Sequence, residues 1–361
     1  MSSASSAAAA APSLRAKEDE VRALVHRHAG QRLPGERELA ARLQITRPQL
    51  RVILGALRRE GLVEQRQGSG TYSVGTGGAA TAASARPRGV ALLVDENLKL
   101  GDDPFFSLLL ERLQASLQGE GVRCVIERVR AGEGAAQART PRPEDGAVTL
   151  GLAGAELLAH HGGGPGAPPL VALLPGPEAR PRRRASLLEV EDREAGREAA
   201  RYLIGAGCRR LVFVGRESIP ASRERGEGAR EVAEAAGIAF ALYPSGLSHA
   251  AGLGAGRAMP VEDPAATGVI ATNDWLAVGL RAGLAERGLR ALPLVSFDGL
   301  PLAADPGLNI ASLAMPVGDI VADAVAELFR LHRSPAAAGR TVRYPFAWRD
   351  DATEESSAPA G

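Results

Sequence analysis

Arg47, Arg51 and Arg58 lie off the apolar stripe of the stretch 47–60, in which Leu50, Ile53, Leu54 and Leu57 recur at i, i+3, i+4 and i+7. A guanidinium is always charged and presents a planar fork of donors. It can bond guanine O6 and N7 together, or anchor a phosphate oxygen. Arg47 and Arg51, one turn apart, stand at the N-terminal end, where a helix entering the major groove meets base edges. Arg58 and Arg59 lie past that half and read as solvated charge. Thr46 and Gln49 have the T-x-x-Q spacing of a capping box, which makes Thr46 the N-cap. Pro48 falls in the first turn, where a missing N–H breaks no bond, and Gly61 ends the helix. Gln67-Gly68-Ser69-Gly70, between the extended runs 62–66 and 71–74, is a hairpin turn signal.

Enzyme chemistry finds no comparable constellation. His161-Gly162-Gly163-Gly164 resembles an oxyanion-hole segment, but no G-x-S-x-G elbow follows. Gly252-x-Gly254-x-Gly256 starts inside a helix pattern and lacks a ribose-binding acid downstream. There is no P-loop and no H-E-x-x-H. His26 and His28 have no further ligand nearby and read as packed or solvated. The chain has lysine only at Lys17 and Lys99, so no lysine is placed to hold a pyridoxal cofactor in a C-terminal domain. The chain reads as a non-enzyme without cofactor.

The elements that position the arginines come in a definite order. Val21, Leu24, Val25 and His28 mark a first amphipathic helix over roughly 14–28. Glu36 to Leu43 is a second, and Arg47 to Glu60 a third, followed by the hairpin. Helix, turn, helix and hairpin make a winged helix-turn-helix. Residues 75–88 are small and nearly free of apolar bulk, a flexible linker. Beyond it, apolar runs such as Val90–Val94, Val122–Ile126, Leu170–Leu174, Leu211–Val214 and Leu292–Phe297 alternate with helical patterns. That alternation predicts parallel sheets covered on both faces, in two α/β subdomains with a crevice at the carboxyl ends of their strands.

Charge follows the same division. Residues 1–87 contain 13 Lys+Arg and 7 Asp+Glu, a balance of +6; the remainder has 30 against 35, or −5. A basic module on an acidic body suits phosphate binding by the N-terminal part alone. Two distant cysteines, Cys124 and Cys208, suit a reduced cytoplasmic protein. The start, MSSASSAAAAAPS, lacks a basic region and a leucine-rich core, and reads as a disordered tail, like 350–361. No apolar run approaches the ~18–20 residues of a membrane span.

The N-terminal stretch resembles the DNA-binding domain of the GntR family of bacterial regulators. The matching pieces are Leu33-Pro34-x-Glu36-Arg37-x-Leu39-Ala40, Thr46-Arg47-Pro48-x-Leu50-Arg51, Glu60-Gly61-Leu62-Val63 and Arg66-Gln67-Gly68-x-Gly70-Thr71. The resemblance implies DNA contacts from Arg37, Thr46, Arg47, Gln49, Arg51, Arg66, Gln67 and Gly68. Gln49 stands where the family usually has Ser or Thr.

Residues 88–347 resemble the LacI/GalR effector domain, whose fold is that of periplasmic sugar-binding proteins. The carriers are Asp103-Pro104-Phe105-Phe106, Asp192-x-x-x-Gly196, Arg225-x-x-Gly228, Ala271-Thr272-Asn273-Asp274, Val295-Ser296-Phe297-Asp298 and Ile310-x-Ser312-Leu313-x-x-Pro316. This resemblance implies Asn273 and Asp298 at the strand ends lining a cleft, and Arg225 on its floor. Trp275, Phe105 and Phe106 are candidates for stacking on a sugar face, and Asp95 for a further polar contact. Asp274 reads as the cap of the helix that follows. Leu174 stands where sugar-binding relatives often carry a polar group, and Met315 and Val317 lie near the crossover back to the first subdomain, which implies either a less polar ligand or a weakened site.

The expectation is therefore α/β overall: a winged helix-turn-helix over 14–74, a linker over 75–88 and a two-subdomain sensor over 89–349. As a homodimer it would bind a pseudo-palindromic double-stranded operator and repress carbohydrate-utilisation genes until a sugar or sugar derivative releases it. The alternative, from another class, is a small-molecule binding protein or enzyme with a vestigial DNA-binding module.

Overall fold

The computed structural model describes residues 17, 20, 21, 24, 25, 33–59, 63–66, 70–73, 87–96, 98, 100–129, 146–161 and 167–349. The tails, residues 75–86 of the linker, His26, His28, Gln67, Gly68 and the run Gly162–Gly164 lie outside them. The chain divides into two units, Met1–Ala82 and Ala83–Gly361.

In the first unit, Lys17, Glu20, Val21, Leu24 and Val25 are helical and belong to α1. Helix α2 spans Glu36–Leu43 and α3 Arg47–Arg59. Between them Gln44 takes a left-handed conformation (φ 52°), which turns the chain sharply within three residues. The stripe read from the sequence is the core: Leu50, Ile53, Leu54 and Leu57 pack with Val21, Leu24, Leu39, Leu43 and Val63. Strands β1 (Val63–Arg66) and β2 (Gly70–Ser73) pair antiparallel, Arg66 opposite Gly70. Leu33 adds a backbone bond to the sheet by donating to Thr71 O at 2.8 Å.

The second unit contains two six-stranded sheets. The first has order β13-β7-β6-β5-β3-β4, where β3 is Gly89–Asp95, β4 Arg123–Val129, β5 Gly146–Leu150, β6 Leu170–Leu173, β7 Ala185–Val190 and β13 Thr341–Tyr344. The second has order β14-β12-β11-β10-β8-β9, where β8 is Arg210–Gly215, β9 Ala239–Pro244, β10 Thr267–Ala271, β11 Leu294–Asp298, β12 Ala311–Ala314 and β14 Ala347–Trp348. All pairs are parallel except β12 with β14. Helices α4 (Pro104–Gly119) and α10 (Val317–Arg333) cover one face of the first sheet and α5 (Ala153–His160) the other. Around the second lie α6 (Asp192–Gly205), α7 (Pro220–Ala235), α8 (His249–Ala258) and α9 (Asp274–Glu286). The chain passes between the sheets three times, at 190–192, 314–317 and 344–347.

Two departures from the sequence reading stand out. β13 and β14 were not legible there: at four and two residues, parted by Pro345, they are too short for a period to register. And the cap of α9 is Asn273, whose side chain accepts from Leu276 N at 2.8 Å, in place of Asp274. Asp274 sits one position inside the helix, fully buried, and does other work described below.

Candidate DNA-binding face and ligand cleft

On α3, Thr46 and Gln49 form the reciprocal cap. Gln49 Oε1 accepts from Thr46 N and from its hydroxyl, each at 2.9 Å, while Gln49 N donates to Thr46 Oγ1 at 3.4 Å. Gln49 thus spends its side-chain carbonyl on holding the helix start, leaving its amide N–H groups for DNA. Arg51 Nε donates to Glu36 Oε2 at 2.9 Å, which ties α3 to α2 across the turn. Arg37, Thr46, Arg47, Gln49 and Arg51 are all exposed. Arg66 is placed by its backbone, at the end of β1.

One residue of this face escaped the sequence reading. Val52, at 65% exposure, is an apolar side chain presented to solvent beside Arg51 and one turn after exposed Pro48. An apolar patch among arginines suits the methyl of thymine, the one apolar feature of the major groove. The available signal was a valine off the buried stripe.

In the second unit the decisive residue is Arg225, 5% exposed on α7. Its Nε donates to Asp192 Oδ1 at 2.7 Å and its Nη1 to Thr272 O at 2.6 Å. Nη1 also lies 3.6 Å from Asp298 Oδ1. The guanidinium is stacked 4.7 Å from the ring centroid of Phe297 and 5.2 Å from that of Phe346. Glycine makes this meeting possible. A Cβ on Gly196 would fall 2.0 Å from Arg225 O, and one on Gly228 would fall 1.9 Å from Arg193 O. The backbones of α6 and α7 therefore touch, which brings Arg225 to Asp192 at the start of α6. We expect Gly228→Ala to destabilise the fold by about 1–3 kcal/mol in urea denaturation, because the added methyl meets backbone that has nowhere to go. The run Gly252-x-Gly254-x-Gly256 has the same explanation, since Gly252 and Gly256 lie against the backbone of α9.

Asp298 ends β11 with φ 108°, a conformation non-glycine side chains rarely adopt, and is 8% exposed. Burial pushes its carboxyl well above the usual range. Arg225 opposes the shift, and Asp274, Asp103 and Asp192 add to it. A carboxyl placed here has two oxygens with which to accept from the hydroxyl groups of a ligand. Asp103, which caps α4 by accepting from Phe106 N at 3.2 Å, is itself raised by burial.

Asp274 explains how the strand ends are fixed. Its carboxylate accepts from the Ser296 hydroxyl, from Ser312 Oγ at 2.8 Å and from Leu300 N at 2.7 Å, clasping α9 to β11, β12 and the loop after Asp298. Burial raises its pKa from 3.8 to about 6, against those three hydrogen bonds. Because the folded value lies above the unfolded one, the associated stability is complete below pH 3.8 and is lost as pH rises through 6. Between pH 7.5 and pH 5 this group should add about 1 kcal/mol. Urea titrations at the two pH values should show that gain in the wild type, and Asp274→Asn should lose this part of it; equal slopes would refute the assignment.

The other sequence candidates are placed as follows. Asn273 follows the end of β10, and its side chain is engaged at both atoms, since Oδ1 accepts from Leu276 N and Nδ2 donates to Leu247 O at 3.2 Å. Trp275 is half-buried against the His249 ring, centroids 5.0 Å apart. Phe105 is buried and meets half-buried Phe106 edge-on at 5.4 Å. Both belong to an apolar cluster that also takes in Leu300 and Met315, with Leu174, Val317 and Phe346 packed on it. Asp95 is buried at the end of β3. Asp192, Phe297 and Phe346, which complete the surroundings of Arg225, were not among the sequence candidates. A cavity of about 420 Å³ opens beside the carboxyl ends of β8 and β9, lined by Gly215, Arg216, Glu217, Pro244 and Ser245 among others; Arg225 and Asp298 do not line it.

Two family models match this chain. Residues 18–72 match the model of bacterial regulatory proteins of the gntR family, and residues 200–350 match the periplasmic binding protein-like domain. The chain carries a gntR-family domain followed by a periplasmic binding protein-like domain. Among curated proteins none matches this chain in sequence. Solved structures share its fold. A LacI family transcriptional regulator from Enterococcus faecium with bound ribose is 20% identical, with a TM-score of 0.60 over 72% of this chain and 97% of that one. The transcriptional regulator CelR in complex with cellobiose is 20% identical, with a TM-score of 0.58 over 88% and 99%. The lac repressor dimer bound to operator and the anti-inducer ONPF is 15% identical, with a TM-score of 0.59 over 73% and 93%. No helix among the described residues is long and apolar enough to cross a membrane.

Proposed function

We propose that this chain is a cytoplasmic, non-enzymatic repressor that reads a pseudo-palindromic operator as a homodimer and releases it when a sugar-like effector enters the cleft of its C-terminal unit. The observation that carries the reading is a single chain holding both an arginine-bearing helix presented to solvent and a buried Arg225–Asp298 pair at the strand ends of a two-sheet domain. Residues 14–74 form the DNA-binding domain, 75–88 the linker and 89–349 the sensor. Arg37, Thr46, Arg47, Gln49, Arg51, Arg66, Gln67 and Gly68 contact DNA. Arg225 and Asp298 are the polar centre of the effector site, with Asn273, Trp275, Phe105, Phe106 and Asp95 around it.

Ribose and cellobiose in structures of this fold support a carbohydrate effector. The apolar surroundings, with Leu174, Met315 and Phe346 close to the same cluster, favour one with an extended apolar face or fewer hydroxyls. Buried hydroxyls without partners cost ~1–3 kcal/mol each, which selects against fully polar ligands in such walls. Thermal-shift screening against sugars, sugar phosphates and nucleosides tests this, because a ligand of the folded state raises its melting temperature. A selective shift by a sugar or sugar derivative supports the reading; a shift by nucleosides alone contradicts it.

A further inference from the structure

Two arginine-bearing segments meet at the end of the first sheet where its parallel strands begin. Arg182, Arg183 and Arg184 lead into β7, and Arg340 leads into β13 beside it. Arg184 N donates to Ala337 O at 3.0 Å, and Gly339 N donates to Arg182 O at 2.9 Å, so the two segments are held against each other. Glycine is required there: a Cβ on Gly339 would fall 1.8 Å from Ala185 O and 2.2 Å from Arg182 O. The C-terminal turn of α10 joins them and adds Arg330 and Arg333, with Arg330 Nη2 donating to Ala338 O at 2.8 Å.

Three of these arginines serve the fold. Arg330 and Arg340 both pair with buried Glu327, at 2.6 and 2.9 Å. Buried Arg184 donates to Leu331 O at 3.4 Å, which covers a carbonyl at the negative end of α10. Arg182, Arg183 and Arg333 are left exposed, and no carboxylate among the described residues lies within ion-pair distance of them. They stand on a part of the chain, residues 88–361, whose overall balance is −5. A local positive cluster on an acidic body is a surface for a polyanion, and the guanidinium fork matches phosphate oxygens.

Connectivity keeps the cluster within reach of DNA. β3, the strand that follows the first unit in the chain, begins at this same end, because β3, β5, β6 and β7 are all parallel. It lies three strand spacings from β7, about 14 Å. Residues 75–88, even fully extended, span at most about 50 Å. Phosphates within about two helical turns of an operator held by α3 are therefore accessible to the cluster. We propose that Arg182, Arg183 and Arg333 bind the duplex backbone flanking the operator, as a second DNA-contacting surface that belongs to the sensor. This rests on the DNA-binding reading above. Backbone contacts position a protein without carrying base information, so this surface sets affinity and salt dependence while α3 sets sequence.

The test uses the full chain and two probes, the operator alone and the operator extended by about two helical turns on each side. The exposed arginines are changed together, as Arg182→Gln, Arg183→Gln and Arg333→Gln. On the extended probe this variant should bind about tenfold more weakly than wild type, and the slope of log affinity against log salt should fall by about 1 for each arginine removed. On the operator alone it should bind as wild type does, with an unchanged melting temperature. Lysine at the three positions should keep most of the slope, since it retains the charge. A wild type that binds both probes equally, with equal slopes, overturns the surface and leaves the DNA-binding reading standing. A wild type that binds neither probe overturns both. A loss that is equal on the two probes is an effect on the fold and overturns the surface. So does a melting temperature raised by inorganic phosphate in wild type but not in the variant, without dependence on probe length, which assigns the cluster to a small phosphate.

Discussion

Arg47→Ala is expected to lower operator affinity by about 1–3 kcal/mol, roughly five- to 150-fold, while leaving the sensor's melting temperature unchanged. The expectation follows from position. Arg47 is the first residue of α3, exposed, and held at a helix start that Thr46 and Gln49 fix from both sides. Its loss should also relax base preference at one operator position, since a guanidinium bonded to guanine discriminates where a phosphate anchor does not. Arg51→Ala removes the proposed DNA contact and the Glu36 ion pair together; the ion pair is surface-exposed and worth at most about 1 kcal/mol to the fold. Gel shifts on an operator selected from genomic fragments measure both variants. Affinities equal to wild type would return these arginines to ordinary surface charge.

A second large effect separates Arg225 from Asp298. Arg225→Met leaves half-buried Asp192 without its 2.7 Å partner and buried Asp298 without its neighbouring cation, and should destabilise the C-terminal unit by about 3–5 kcal/mol. Asp298→Asn should do the reverse of what a salt bridge would suggest. Its carboxyl is already pushed up by burial and by three neighbouring acids, so removing the charge should leave stability unchanged or higher at pH 7.5. Yet effector response should vanish in that variant, because the amide offers one acceptor oxygen where the carboxyl offers two. Chemical denaturation and effector-dependent gel shifts are the two readouts. Asp298→Asn destabilised by more than Arg225→Met would contradict the assignment of Arg225 as the charge around which the strand ends are built.

Much of this was legible from residue order alone. The α3 stripe and its cap follow from a period and a spacing, because both are properties of one helix and need no distant partner. The alternation of strands and helices was readable for the same reason. What escaped depends on tertiary encounters. Asn273 and Asp274 are adjacent and chemically similar, and only the meeting of β11, β12 and the loop at Leu300 decides which one caps and which one clasps. Phe346 sits between β13 and β14, in a crossover with no period, and reaches Arg225 through the fold. The apolar departures at Leu174, Met315 and Val317 were visible as residue types; that they share one cluster with Phe105 was not.

The central claim, that one chain couples ligand to DNA, is tested most directly by titrating a labelled operator with the full-length protein in the absence and presence of the sugar that raises its melting temperature. Coupling between two sites is reciprocal, so the operator should equally weaken sugar binding. The account predicts at least about a tenfold loss of operator affinity, ~1.4 kcal/mol, at saturating sugar, and no loss in Asp298→Asn. An operator affinity unchanged by a sugar that demonstrably binds would contradict it.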